Sequence, residues 1–200
     1  MTAILIIKIL AIILLLTCSA ISSGSETALT AISKLRAIKY KDQGNDKAGY
    51  ILKIKEIKNQ FITGVLLANN LFNILATVLF TEILISYFGG FGMTIATIVM
   101  TFVIVIFSEV TPKIYALNKP MKFSLAVAKL FFYYTKFISP VVFIINKIAS
   151  YFMGLLGMKL DENPSKNMEE EFEGAIKYQK QHSKDNICLL YTSPSPRDVE

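Results

Sequence analysis

The sequence has no tryptophan, a single histidine (His182), and only two cysteines, Cys18 and Cys188, in 200 residues. Two distant cysteines make no disulfide framework, and with one histidine they make no zinc-type cluster. Arginine is almost absent as well, at Arg36 and Arg197, against nineteen lysines. Together with abundant Ile, Asn, Tyr and Phe, this points to an AT-rich coding genome and fits a bacterial source. Charge is missing over long distances: between Asn59 and Ser108 the only charged residue is Glu82. That absence excludes a water-facing surface for the segment. No phosphate-binding loop and no nucleophile–base pair occurs, so the residues point away from an enzyme.

What is present is apolar and arranged in blocks. Hydrophobic residues make up 53% of the chain and its mean hydropathy is +0.49. Blocks of about 20 apolar residues read as transmembrane helices, because in lipid the backbone must satisfy its hydrogen bonds internally. The net charge of +6 resides on lysines that flank these blocks. They suit lipid headgroups and cytosol rather than nucleic acid. The expected class is an all-α integral membrane protein.

The first apolar run spans about Ala3 to Ile21, with Lys8 near its start. A cleaved signal peptide is the alternative, with "CSA" as the cleavage site. Against it, no basic residue precedes the run and further membrane segments follow. Residues 33–60 hold eight Lys or Arg and three acids, with Ile32, Leu35, Ile38, Tyr50, Ile51, Ile54 and Ile57 at helical spacing around "DQGND". This predicts a basic amphipathic helical hairpin, cytoplasmic by the positive-inside rule, with the N-terminus outside. A second segment, Phe61–Phe88, ends at the glycine turn "YFGGFG", and a third runs from Met93 to about Pro112.

The fourth stretch, Phe123–Met158, carries Lys129, Lys136 and Lys147 and is interrupted by Pro140. At 100° per residue, Lys122 and these three lysines fall within about 40° of one another. Such a stripe suits a helix lying in the interface, with Pro140 bending it. The expectation is three crossings plus a juxtamembrane belt helix, with four crossings as the alternative. From Asp161 the composition becomes charged, and residues 161–187 read as the start of a cytosolic linker. Residues 188–200 resemble a translated sequencing adapter, which predicts that the native protein continues past Ile187; a short disordered tail is the alternative.

Three polar clusters interrupt the apolar blocks. Ser22, Ser23, Gly24, Ser25 and Glu26 form the first, with Ser22, Ser25 and Glu26 on one helical face. In "LANNLFN", Asn70 and Asn73 share a face with Asn69 adjacent, and Asn70 lies about 13 Å into a ~30 Å core. The third is "FSEVTPK", holding Ser108, Glu109, Thr111, Pro112 and Lys113. Each has a bland reading: small residues pack helices closely, asparagines cross-link them, and Glu109 pairs with Lys113. An acid at helix-centre depth nevertheless costs about 2.5–3.5 kcal/mol. Hydroxyls, amides and one carboxylate form an oxygen-only set, which suits a hard cation and Mg2+ in particular. Gly24 and Pro112 are expected to unwind their helices and free carbonyls for such an ion.

"SGSETALTA", "LANNLFNIL" and "FSEVTPK", in this order and with a basic hairpin between the first two, resemble a known family. They look like the signature stretches of the transmembrane domain shared by CorC-type bacterial proteins and the cyclin-M (CNNM) magnesium transporters. The resemblance covers about residues 1–160. It implies a homodimer in the cell (inner) membrane, with three spanning helices and a belt helix per protomer. It also implies a dehydrated Mg2+ site lined by Ser22, Ser23, Ser25, Asn70 and Glu109, supported by Gly24, Asn73, Pro112 and Lys113. In the family a CBS-pair module follows, so ATP sensing is expected only beyond this chain. The family's usual glycine before the glutamate is Ser108 here. The implied function is Mg2+ export or homeostasis, driven by an opposing Na+ gradient. The alternative is a membrane anchor or sensor that regulates a partner without transporting.

Overall fold

The structure, a computed structural model, describes residues 2–156. The linker over 161–187 and the tail over 188–200 lie outside the described residues. The chain divides into two compact units, Met1–Ile148 and Ala149–Glu200. The described residues are helical, joined by short turns. Four helical stretches are long and apolar enough to cross a membrane: Thr2–Ala31, Lys58–Phe88, Phe91–Asn118 and Pro120–Leu155.

Helix α1 (Thr2–Ala31) does not end at the serine–glycine stretch, as the sequence pattern predicts, but runs through it. The hydroxyls of Ser22 and Ser25 donate back to the carbonyls of Cys18 and Ser22, so these polar side chains are satisfied within the helix. Gly24 therefore leaves α1 unbroken. The basic hairpin is as expected. Helix α2 (Lys34–Asp42) starts where Ser33 accepts from the Arg36 amide, and α3 (Asp46–Glu56) starts where Asn45 accepts from the Lys47 amide. Between them Gly44 takes a φ of 84°, the left-handed conformation that a side chain disfavours. Of its apolar positions, Ile32, Ile51 and Ile54 are buried, whereas Leu35 and Ile38 are exposed.

Helix α4 (Lys58–Phe88) runs antiparallel to α1. Lys8 meets Glu82, and farther along α1 Ser19 meets Asn73 and Asn69, so advance on one helix is retreat on the other. Lys8 Nζ stands 2.6 Å from Glu82 Oε1. Each charge lowers the cost of the other near lipid, so Glu82 is not a neutral surface position. Glu82→Gln or Lys8→Met alone is expected to lower thermal stability. The double variant should recover part of the loss, with a coupling on the order of 1 kcal/mol. Additive single losses in a thermal-unfolding cycle would show that the pair contributes nothing.

A tight glycine turn leads from α4 into the third stretch, which is not uniform. Helix α5 (Phe91–Val103) widens into a π-helical segment, Ile104–Val110, and then continues as α6 (Thr111–Asn118). The Thr111 amide donates to the Ile106 carbonyl five residues back, the π spacing. The sequence pattern predicts that Pro112 unwinds this helix, but the wider turn accommodates it instead. A proline ring clashes with the carbonyl four residues earlier in regular α-helix, and a π turn relieves that contact. The stretch runs parallel to α1, with Ser108 against Leu16 and, farther on, Tyr115 and Gly24 both against Phe123.

Helix α7 (Pro120–Leu155) continues through Pro140 rather than stopping there. Met121, Ser124, Ala128, Phe131, Thr135 and Val142 form its buried seam, while Lys122, Lys129, Lys136 and Lys147 are all exposed. Its contacts fix its direction. Phe131 meets Phe61 edge to face, and the Tyr134 hydroxyl donates to the Gly64 carbonyl. Ile138 and Val142 approach Gly64, and Thr63 donates to Asn146 Oδ1. Four turns of α7 thus meet a single turn of α4, so α7 crosses α4 steeply. Phe123 carries the same layer across to Gly24 on α1.

On the hairpin side, Tyr50 packs against Phe132 and Tyr133, with Lys53 over the Tyr50 ring at 5.5 Å. Hydrogen bonding with Tyr133 raises the Tyr50 phenol above its usual pKa.

Candidate ion site

The polar residues of three helices gather in the middle of the bundle, from positions that an α-helix dictates. Asn69 and Asn73 are one turn apart on α4, so both amides face α1. The Ser19 hydroxyl lies 2.6 Å from Asn69 Oδ1 and 2.7 Å from Asn73 Oδ1. All three residues are buried. One hydroxyl carries one hydrogen, so it can serve only one of the two amide oxygens. The other oxygen pair is left in contact with no proton between them. Turning one amide over to present its NH2 group resolves this conflict, and so does a cation drawn to the three oxygens.

Ser108, on the π segment, is fully buried and donates to the Leu16 carbonyl at 3.3 Å. Ser108 thereby ties the third stretch to α1, one turn before Ser19. Glu109 follows it, half-buried and without a hydrogen bond or ion pair to any described residue. Lys113 is exposed, and the Glu109–Lys113 pair is not formed. Pro112 has no N–H, so the carbonyl behind it, Ser108 in α spacing or Phe107 in π spacing, receives no donor from that position. The segment that packs against α1 through Ser108 therefore carries a carboxylate without a described partner, and a carbonyl that the proline cannot cap.

One turn beyond Ser19, the Ser23 hydroxyl is fully buried and has no hydrogen-bond partner. It differs from Ser22 and Ser25, whose hydroxyls are occupied by their own helix. Of the sequence-expected residues, Ser22, Ser23, Gly24, Ser25 and Asn73 are buried, Glu109 and Pro112 are half-buried, and Asn70 and Lys113 are exposed. Asn70 faces away from the Ser19 cluster. Ser19 and Asn69 are functional candidates that the sequence motifs do not single out. Their one signal is spacing: Ser19 with Ser23, and Asn69 with Asn73, each four residues apart.

Among the described residues no group of three or more His, Cys, Asp or Glu side chains could hold a metal ion. The buried donors around Ser19 are hydroxyls and amides, and the same polar motifs add two half-buried carboxylates, Glu26 and Glu109. Apolar helices around a buried oxygen-rich centre, carried by a basic hairpin and a crossing helix, define a multi-helix membrane protein.

The cyclin-M transmembrane N-terminal domain model matches residues 9–186, and the chain belongs to this CNNM family. It is 33% identical over 165 residues to a UPF0053 protein of Haemophilus influenzae, covering 82% of this chain and 39% of that one. It is 35% identical over 153 residues to the UPF0053 inner membrane protein YfjD of Escherichia coli, covering 76% and 36%. A Haemophilus influenzae relative named polyamine export protein is 26% identical over 200 residues, covering 90% and 46%. The chain thus spans less than half the length of these relatives.

Proposed function

We propose that this chain is the membrane domain of a divalent-cation transporter that carries Mg2+. In this reading Ser19, Ser23, Asn69, Asn73 and Glu109 supply the oxygens. The observation that carries it is the convergence of two amide oxygens on one buried hydroxyl, with a carboxylate lacking a described partner on the helical segment that packs against α1. Mg2+ accepts hard oxygen ligands and retains water, so neutral donors with a single carboxylate bind it without trapping it. A polyamine, the cargo named for one relative, carries several separated charges and calls for several acids. The polar motifs offer two half-buried carboxylates, Glu26 and Glu109, on different helices, too few for several separated charges, which favours a small ion. Na+ coupling and a homodimer in the inner membrane belong to the same proposal. Reconstituted vesicles should show Mg2+ flux that spermidine does not inhibit; spermidine transport without Mg2+ flux would reverse the assignment.

The membrane placement proposed is three crossings with α7 in the inner interface and the N-terminus outside. Two features support it. Helix α7 crosses α4 about 9 Å in from Lys58, near the depth at which interfacial helices lie. Its four exposed lysines extend over roughly 37 Å of helix, which in a spanning orientation would put charges through the hydrocarbon. Single cysteines at Lys129 and Lys147 should label only from the side that also labels Lys39. Labelling of one of them from the opposite side would require a fourth crossing.

A further inference from the structure

Phe123, near the start of α7, reaches across to α1. A Cβ built on Gly24 would lie 2.8 Å from the tip of the Phe123 ring and 3.3 Å from both flanking ring carbons. The ring therefore sits end-on in a notch that only glycine leaves open. Tyr115 of α6 backs it edge to face, at 6.1 Å between centroids. The residues next to this contact share a second property. Ser23, beside Gly24, and Ser124, beside Phe123, are both fully buried with hydroxyls that have no hydrogen-bond partner. They are the two buried side-chain groups so orphaned among the described residues.

An orphaned buried hydroxyl costs about 1–3 kcal/mol, and here one stands next in sequence to each of the two residues that make this contact. With the ring in place Ser23 is fully buried, and the Ser19 cluster lies one turn away along α1. Other polar groups on these helices, Ser22 and Ser25, are already bonded and gain nothing from opening. We propose that Phe123 is a gate on the oxygen cluster, seated on Gly24, whose withdrawal hydrates Ser23 and Ser124 and opens the path to Ser19. What the gate controls rests on the ion-site reading above; that it controls access does not.

The test is the rate at which a water-soluble methanethiosulfonate reagent modifies Ser23→Cys in the 200-residue chain, with Cys18 and Cys188 replaced by serine. With Phe123 present, modification should be slow. Phe123→Ala should accelerate it roughly tenfold by raising the open population. Gly24→Ala, which pushes the ring out of its notch, should accelerate it as well, and Phe123→Leu should do so least. A cysteine at Ala76, fully buried on α4, is the reference and should remain slow throughout.

If Ser23→Cys does not yield a monodisperse protein, Ser124→Cys reports on the same opening. An unchanged rate in Phe123→Ala overturns the gate, as does equal acceleration at the Ala76 position, which signals general loosening. Acceleration at Ser124→Cys, which keeps every proposed ligand, that Mg2+ does not suppress upholds the gate while removing Mg2+ as the ion behind it.

Discussion

Glu109→Gln is expected to remove the response of the protein to Mg2+ while leaving its apo stability near normal. The carboxylate is half-buried and makes no ion pair or hydrogen bond with a described residue, so the fold does not lean on its charge. The amide retains size and a hydrogen-bonding oxygen, and the apo unfolding midpoint should correspond to a change within about 0.5 kcal/mol. The ion does depend on the charge, because the other donors are neutral. A site saturated at a hundred times its dissociation constant stabilises by about 2.7 kcal/mol, and that increment should vanish. Asn73→Leu should weaken the increment without abolishing it, since it removes one neutral ligand of several. Thermal unfolding of purified protein across a Mg2+ titration reads both. A Glu109→Gln protein that retains the full Mg2+ shift removes Glu109 from the site.

Gly92→Ala is expected to be the most damaging glycine-to-alanine change among the described residues. After α4 the backbone turns through Gly89, at a φ of 58°, and Gly90, and α5 begins with Gly92 pressed against the end of α4. A Cβ on Gly92 would clash with the Leu84 carbonyl oxygen and lie 2.7 Å from the Ile85 nitrogen. These are helix backbone atoms and cannot rotate aside as a side-chain tip can. The cost should be roughly 1–3 kcal/mol, the range for overpacking, and it should appear as lost yield or a lowered unfolding temperature. Gly90→Ala is the internal comparison. Its φ of −58° is ordinary and nothing lies within 4 Å of the point a methyl would occupy, so it should be neutral or slightly stabilising. Equal tolerance of the two substitutions would mean that α4 and α5 do not approach as closely as described.

Much of the architecture is legible in the sequence alone. Eight basic residues in a short amphipathic stretch specify the hairpin, and the lysine period on the fourth segment specifies a helix with one charged side. The behaviour of the polar clusters is harder to read. Glycine and proline break helices in water, so Gly24 and Pro112 have the look of breaks. In an apolar bundle the backbone has no solvent to turn to. Serine back-bonds keep α1 intact, and a π turn absorbs Pro112.

The choice between asparagine faces is open in the sequence for a different reason. Asn70 with Asn73 and Asn69 with Asn73 are both helical neighbours, separated by one residue of rotation, about 100°. Sequence alone does not say which side of α4 meets α1. Ser19 escapes notice because a lone serine inside an apolar run is usually only a packing residue. It becomes significant only where two amides from another helix meet it.

Mg2+ efflux from proteoliposomes containing wild type, Asn69→Leu, Asn73→Leu or Glu109→Gln tests the central claim most directly. The account predicts wild-type flux above that of empty vesicles, reduced by each asparagine change and abolished by Glu109→Gln at equal protein incorporation. Wild-type flux that persists undiminished in all three variants would contradict it and move the ion path away from Ser19.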